Sequence, residues 1–155
     1  KGMAIRVIRT KGDPVLREVA LAVQEITPQV KKLLDDMVET MYDAEGVGLA
    51  APQIGIGKRI IVIDVLDENG LLKLINPVIV ERDGKEIAVE GCLSFPGVAG
   101  EVERDVKVTI RAMDADGNPV VLCASGLLAR AFQHEIDHLD GILFVDRASR
   151  FIEGE

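Results

Sequence analysis

The sequence predicts an α+β fold. Mostly antiparallel β-sheets pack around a central C-terminal helix carrying His134-Glu135-Ile136-Asp137-His138, and an amphipathic helix lies near the N-terminus. Three observations predict this. Two stretches, one after Thr27-Pro28 and one after Ser125, repeat apolar residues at the period of a helix. The chain between them is divided by Gly-, Asn- and Asp-rich turns into short apolar or alternating runs that read as strands. The order helix, many strands, helix segregates the two kinds of element, whereas a parallel α/β sheet would alternate them.

The elements follow in order. Gly12-Asp13-Pro14 is a turn. Thr27 is the N-cap of the first helix and Pro28 takes its first helical position. Val30, Leu33, Leu34, Met37, Val38 and Met41 form its apolar face, and Gly46 is the expected stop. After the glycine-rich GVGLAAPQIGIG, the run RIIVIDV from Arg59 reads as a buried strand, and Asp67-Glu68-Asn69-Gly70 as a turn. LLKLINPVIV and KEIAVEGCLS are further strands with Asp83-Gly84 between them. VERDVKVTIRAMD alternates from Val102 as one strand. The turn Asp116-Gly117-Asn118-Pro119 then leads to VVLCA, which makes a hairpin. The last helix runs from Ser125, its N-cap, to about Asp140 and ends at Gly141. No repeat, linker or low-complexity stretch interrupts residues 1–155, so they read as one domain.

Composition narrows the function. With 155 residues, 48% hydrophobic and 28% charged, the chain can bury a core, and aromatics at 3% leave Leu, Ile and Val to build it. A net charge of −8 disfavours wrapping a nucleic-acid backbone. No run approaches the ~18 apolar residues of a membrane span. The start KGMAIRVIRT lacks the apolar region of a secretory signal; Met3 reads as the natural start, and Lys1-Gly2 as a remnant of expression. The two cysteines, Cys92 and Cys123, are expected as thiols.

The chemistry concentrates in the last helix. His134 and His138 are four residues apart, so both imidazoles lie on one helical face, close enough to share a metal ion. Glu135 stands ~100° round the helix from His134 and borders such an ion without ligating it, as suits a general base acting on water. HExxH alone is a short pattern, and two histidines at this spacing also arise on ordinary surface helices. Here they are the only histidines of the chain, on a helix whose approach, Leu127, Leu128, Ala131 and Phe132, is apolar. A catalytic site wants a third protein ligand. No third histidine exists, which leaves a thiolate or a carboxylate. Cys92, in the Gly/Pro-rich loop of EGCLSFPG, is the better thiolate; Cys123, in the apolar run VVLCA, reads as a small buried hydrophobe. The loop GVGLAAPQIG is neither a P-loop nor a dinucleotide fingerprint. By itself it is a helix-to-strand connection that offers exposed backbone and the amide of Gln53.

Together, GVGLAAPQ from Gly46, EGCLS from Glu90 and HEIDH from His134 resemble, in order and without a gap, the three motifs of the peptide deformylase family. GDPVLRE from Gly12 is also similar to it. The resemblance implies a hydrolase that removes the formyl group from the amino-terminal formyl-methionine of nascent polypeptides. It implies one divalent ion on Cys92, His134 and His138, with Fe2+ native and Ni2+, Co2+ or Zn2+ as substitutes. Glu135 is then the general base and later the acid, while the Gln53 amide and the Leu93 N–H face the substrate carbonyl oxygen. Glu90 pairs with Arg104 behind the metal ligands. Val47, Leu127 and Ala131 line a pocket for the methionine side chain, and the extended Gly46–Gly48 segment pairs with the substrate backbone. A bacterial-type cytoplasmic location is implied, or an organelle after removal of a transit peptide.

Two departures stand out. Ala99 occupies a position where some members carry an arginine near the far end of the substrate. Members that dock on the ribosome through a basic C-terminal helix have a longer tail; ILFVDRASRFIEGE after Gly141 is short with two arginines, so transient proximity to the ribosome is expected without a basic docking helix. Two rivals remain at this stage. A metallopeptidase shares HExxH, but common ones take histidine or carboxylate as third ligand. An inactive relative with a closed structural site would need a fourth ligand and would have no use for Glu135.

Overall fold

The structure, a computed structural model, describes residues 4–152. The expected start at Met3 and the expression remnant lie outside the described residues. The N-terminal segment leads through a 3-10 turn at Pro14–Arg17 to helix α1, Pro28–Asp43. Strand β1 (Gly48–Ala50) is followed by a 3-10 turn, Ala51–Ile54, and by β2 (Ile60–Ile63). Then come β3 (Leu72–Asp83), β4 (Glu86–Cys92), β5 (Phe95–Arg104), β6 (Lys107–Met113) and β7 (Pro119–Ser125). Helix α2 is Gly126–Leu139, and the chain closes with α3 (Phe144–Arg147) and β8 (Ala148–Ile152). Two antiparallel sheets result, one ordered β1-β2-β3-β6-β7 and one ordered β4-β5-β8.

Strand β2 shows why the large sheet sits where it does. All four residues of Ile60–Ile63 are fully buried. Alternation sends Ile61 and Ile63 into one cluster with Leu128, Phe132 and Ile136 of α2, and Ile60 and Val62 into another with Leu33, Met37 and Met41 of α1. The sheet is therefore covered by a helix on each face at this point, and the strand reads as a continuous apolar run. Each such aliphatic contributes roughly 1.5–3 kcal/mol by leaving water. The small sheet packs through Val102 and Phe95 against Leu16, Leu143 and Phe144.

Several sequence expectations need correction. VERDVKVTIRAMD is not one strand: it ends β5 at Arg104, breaks at Asp105-Val106 and resumes as β6 in the other sheet. The break is stabilised by Gln133 of α2. Its side-chain Nε2 donates to Asp105 O and its Oε1 accepts from Asp105 N–H, both at 2.9 Å, so an amide side chain takes the place of a neighbouring strand. The segment after Cys92, expected as a loop, is β5, reached through the two-residue turn Leu93-Ser94. Helix α1 stops at Ala44, and Glu45, not Gly46, adopts the left-handed conformation (φ 59°). The N–H groups of Glu45 and Gly46 close the helix onto Tyr42 O and Met41 O. Cys123 is exposed rather than buried. In β7, Val120, Leu122 and Ala124 face the core while Val121 and Cys123 face solvent, an alternation hidden because both faces carry apolar residues. Both cysteines are free thiols, as expected.

The N-terminal segment is tied to α1 by side chains. Asp36, fully buried, accepts from the Ala4 N–H at 2.8 Å and from Arg6 and Lys32, while Thr40 Oγ1 accepts from the Arg6 N–H. Burial pushes the Asp36 carboxyl up, but these donors outweigh it and hold it below its ordinary 3.8. A carboxylate with a depressed folded pKa stabilises the fold fully above its unfolded value and loses that contribution as pH falls through the folded value. Asp36→Asn is expected to cost about 2 kcal/mol at pH 7. Urea unfolding of both proteins at falling pH should show the gap narrowing below about pH 4; a gap independent of pH would show that the charge contributes nothing.

Candidate metal centre and adjoining pocket

The three motif segments meet at one place. Cys92 ends β4, while His134 and His138 lie one turn apart on α2 with ring centroids 5.1 Å apart. One ligand atom from each residue falls in a group whose members all lie within 4.8 Å of one another, and Cys92 Sγ is 3.3 Å from His138 Nε2. His134 and His138 are buried and Cys92 is half-buried. One sulfur and two imidazole nitrogens converging from two rigid elements make a donor set for a borderline divalent cation, with coordination positions left for other ligands.

The donors are held from behind. Glu90, also on β4 and nearly fully buried, accepts a fork from Arg104: Nε on Oε2 at 2.8 Å and Nη2 on Oε1 at 2.9 Å. It also lies 3.0 Å from His134 Nδ1. Burial pushes the Glu90 carboxyl up, but Arg104 and His134 overcome this and hold it well below the usual carboxylate range. An ionised carboxylate only accepts, so His134 Nδ1 carries the proton and Nε2 is turned toward the cluster. Arg104 Nη1 donates to Asp137 at 2.7 Å, and Arg147 of α3 grips the same carboxylate. The ring of Phe144 stacks on His134 at 6.1 Å between centroids.

The charges of the site call for a cation. Burial lowers the His134 pKa, yet Cys92, Glu90 and Glu135 outweigh it and push it up to about 10. His138 goes the opposite way, well below its usual value, because burial and the charges of His134 and Arg104 all disfavour its protonation. Glu135 is buried, and burial, helped by the charge of Glu90, pushes its carboxyl up to about 7 against the opposing pull of His134 and Arg104. Among the described residues its Oε1 has no hydrogen-bond partner, nor has Nδ1 of His138. An unsatisfied carboxylate oxygen at the mouth of a three-donor cluster is positioned for water or substrate.

Gln53, from the turn after β1, is buried beside this group. Its Oε1 accepts the Ala50 N–H, and its Nε2 donates to Ser94 Oγ at 3.1 Å and lies 3.6 Å from Cys92 Sγ. Leu93 occupies the tight turn between β4 and β5, next to Cys92, and the Lys11 N–H braces that turn through Ser94 O. A pocket of about 400 Å3 opens from the cluster, with Val47, Gly48, Leu127 and Ala131 in its lining. Val47 and Leu127 are 45% and 57% exposed, so they form its rim and not its floor.

Two glycines of the first motif stand where the ends of two side chains approach the backbone closely. A Cβ on Gly46 would stand 2.6 Å from Leu93 Cδ1, and one on Gly48 would stand 2.6 Å from Glu135 Oε2. Gly46 thus lets Leu93 approach the backbone, while the left-handed turn expected of it falls to Glu45. Every site residue read from the sequence is in this region. Four others were not anticipated: Ser94, Arg130, Asp137 and Phe144. Arg130 had a signal, a charge set among the apolar residues of α2 four positions before His134.

A Cys/His/His cluster beside a buried carboxylate, on an α+β scaffold with an open pocket, is the arrangement of a metal-dependent hydrolase. Residues 5–152 match the family model described as polypeptide deformylase. The chain is 57% identical to the peptide deformylase of Halothermothrix orenii over 151 residues, covering 97% of this chain and 98% of the relative. The crystal structure of a peptide deformylase from Legionella pneumophila superposes with a TM-score of 0.91 at 47% identity, over 94% of this chain and 87% of that one. That of Thermotoga maritima gives 0.90 at 46%, over 94% and 98%. The chain belongs to the polypeptide deformylase family.

The contact between Gly48 and Glu135 is testable without an activity. Gly48→Ala is expected to destabilise by about 1–3 kcal/mol through overpacking. Shortening the opposing side chain in Gly48→Ala/Glu135→Ala should recover most of it, a coupling of at least ~1 kcal/mol in a double-mutant cycle read by denaturant melts. Additive losses would show that the two side chains do not meet.

Proposed function

We propose that this chain hydrolyses the formamide at the amino terminus of nascent formyl-methionyl polypeptides and releases formate. The observation that carries this reading is the unpartnered Oε1 of buried Glu135 beside the Cys92, His134 and His138 donors, at the inner end of a pocket with apolar rim residues. Cys92, His134 and His138 would hold one divalent ion; the donor set suits Fe2+, which we take as native, and also Ni2+, Co2+ or Zn2+. Such an ion supplies Lewis acidity, polarising a carbonyl and lowering the pKa of water toward ~7.

The residues do the rest. Glu135, with its carboxyl held near neutrality by burial, takes a proton from the attacking water and returns it to the departing amine nitrogen as the C–N bond breaks. Gln53 Nε2, fixed by Ser94 Oγ and the Ala50 N–H, and the N–H of Leu93 stabilise the negative charge that develops on the formyl oxygen. Each such donor is typically worth ~10²–10³ in rate. Glycines at 46 and 48 leave backbone for the substrate chain to approach, and Val47, Leu127 and Ala131 supply apolar contact for methionine. Glu90 and Arg104 keep His134 turned toward the centre.

The relatives named above are bacterial, and among the described residues no helix is long and apolar enough to cross a membrane. We place the reaction in the bacterial cytoplasm, where nascent chains emerge. The described tail folds as α3 and β8 against the small sheet, and we propose that encounter with the ribosome comes through the nascent chain.

Formate release from a formyl-Met tripeptide tests this directly, using protein loaded with Ni2+ or Fe2+ without oxygen. Rapid release is expected, with the acetylated analogue untouched. Glu135→Gln should keep one metal per chain and lose at least ~10² in kcat; unchanged turnover would remove Glu135 from its role. A base must be ionised to accept a proton, so kcat/KM falls as pH drops through the Glu135 pKa. Burial raises that value from 4.5 to about 7, and a bound cation draws it back. The acid limb should therefore lie between those two values and be absent from the residual activity of Glu135→Gln. An acid limb that survives the substitution would belong to another group.

A further inference from the structure

We propose that Arg130 is a positioning residue for this reaction: it completes the set of donors around Glu90 and so fixes the imidazole of His134. The inference rests on the metal-centre reading given above. Arg130 lies on α2 four residues before His134, on the same face, with its side chain 12% exposed. Its Nη1 donates to Glu90 Oε2 at 2.6 Å and to Val102 O at 2.9 Å, and its Nη2 donates to Glu86 O at 2.8 Å.

Glu90 is where the argument turns. Each of its oxygens accepts two bonds: Oε1 from Arg104 Nη2 and His134 Nδ1, Oε2 from Arg104 Nε and Arg130 Nη1. A carboxylate offers about four lone-pair sites, so this one is saturated and cannot pivot without losing a bond. Arg104 alone is not a full counter-charge, because its Nη1 is committed to Asp137. Arg104 is shared between Glu90 and half-buried Asp137, which Arg147 also grips, and Arg130 supplies Glu90 with a second cation of its own. Without it, Glu90 would hinge on the Arg104 fork, and His134 Nδ1 would lose a fixed acceptor. A pure strut between α2 and the β4–β5 hairpin needs only the carbonyls of Glu86 and Val102. The contact to Glu90 is the shortest of the three.

The test compares Arg130→Met, which keeps the stem that lines the pocket but removes every donor, with Arg130→Lys, which keeps a charge. Three quantities are measured: the dissociation constant and visible spectrum of the cobalt(II) protein, kcat and KM separately on a formyl-Met tripeptide, and the melting temperature. Loss of a group behind a metal ligand typically costs ~10–100-fold in metal affinity or activity. We expect Arg130→Met to weaken cobalt binding and lower kcat by about that factor and to shift the cobalt bands. KM should stay within about twofold, because the stem remains. Arg130→Lys should recover most of the cobalt affinity. A lower melting temperature with wild-type cobalt affinity, spectrum and kcat would make Arg130 a strut and overturn the proposal. A rise in KM alone would make it a pocket wall and overturn it equally. If Arg130→Met does not fold, Arg130→Gln, uncharged but still a donor, is read by the same criteria. The cobalt measurements need no substrate, so they stand apart from whether the chain deformylates peptides.

Discussion

Glu90 is a carboxylate almost cut off from water, and an isolated charge there would cost many kcal/mol. Two guanidinium groups and an imidazole N–H surround it. These donors come from the end of β5 and from two turns of α2, so satisfying one carboxylate locks the small sheet onto the helix. Arg104 then extends the chain of charge to Asp137, and Asp137 to Arg147 in the tail. A buried ionic network of this kind is weak evidence for stability, since apolar packing would serve as well. Its value here is orientation. It holds His134 in one tautomer and one rotamer with Nε2 facing Cys92 and His138, which apolar contacts cannot do.

The remaining parts reach the site because the large sheet is clamped between two helices. Since β2 is buried on both faces, β1 beside it is held in register, Gly48 opposite Ile63 and Ala50 opposite Ile61. Gly48 and Ala50 then face α2, and Leu49 faces α1. This register brings the bare backbone of Gly48 against Glu135 and sends the next turn, with Gln53, under Cys92. A slip of one residue would turn Leu49 toward Glu135 and destroy the site. Packing in the core thus determines distances at the chemistry.

Much of this was legible in the sequence, and the failures share a cause. The two helices, β2, the β6–β7 hairpin and the pairing of His134 with His138 follow from local periodicity and spacing, which one segment carries by itself, whereas Cys92 joins them only through the resemblance of three separate motifs. The break at Asp105 does not, because it depends on the amide of Gln133, a residue 28 positions away. Propensity assigns the stop of α1 to Gly46, but that glycine sits against the side chain of Leu93, a contact visible only in three dimensions. Cys123 looked buried because an edge strand with apolar residues on both faces conceals its alternation. Ser94 and Asp137 stood inside the motifs but had no partner that spacing alone could name.

Phe144 shows how far the site extends beyond its motifs. Gly141 ends α2 with φ 73°, and a Cβ there would come within 2.5 Å of Arg17 O, so the chain can fold back tightly only with glycine at this position. The reversal places Phe144 over His134 and in edge contact with Phe95, and it brings Arg147 to Asp137. Water is displaced from the outer side of the histidine. With less water nearby, the effective dielectric falls, and each charge in the network acts more strongly on its neighbours. Burial of Glu135 itself acts in the same sense, raising its carboxyl toward neutrality, where a group can both take and give a proton. The tail thus closes one side of the ionic network, through Phe144 on His134 and Arg147 on Asp137.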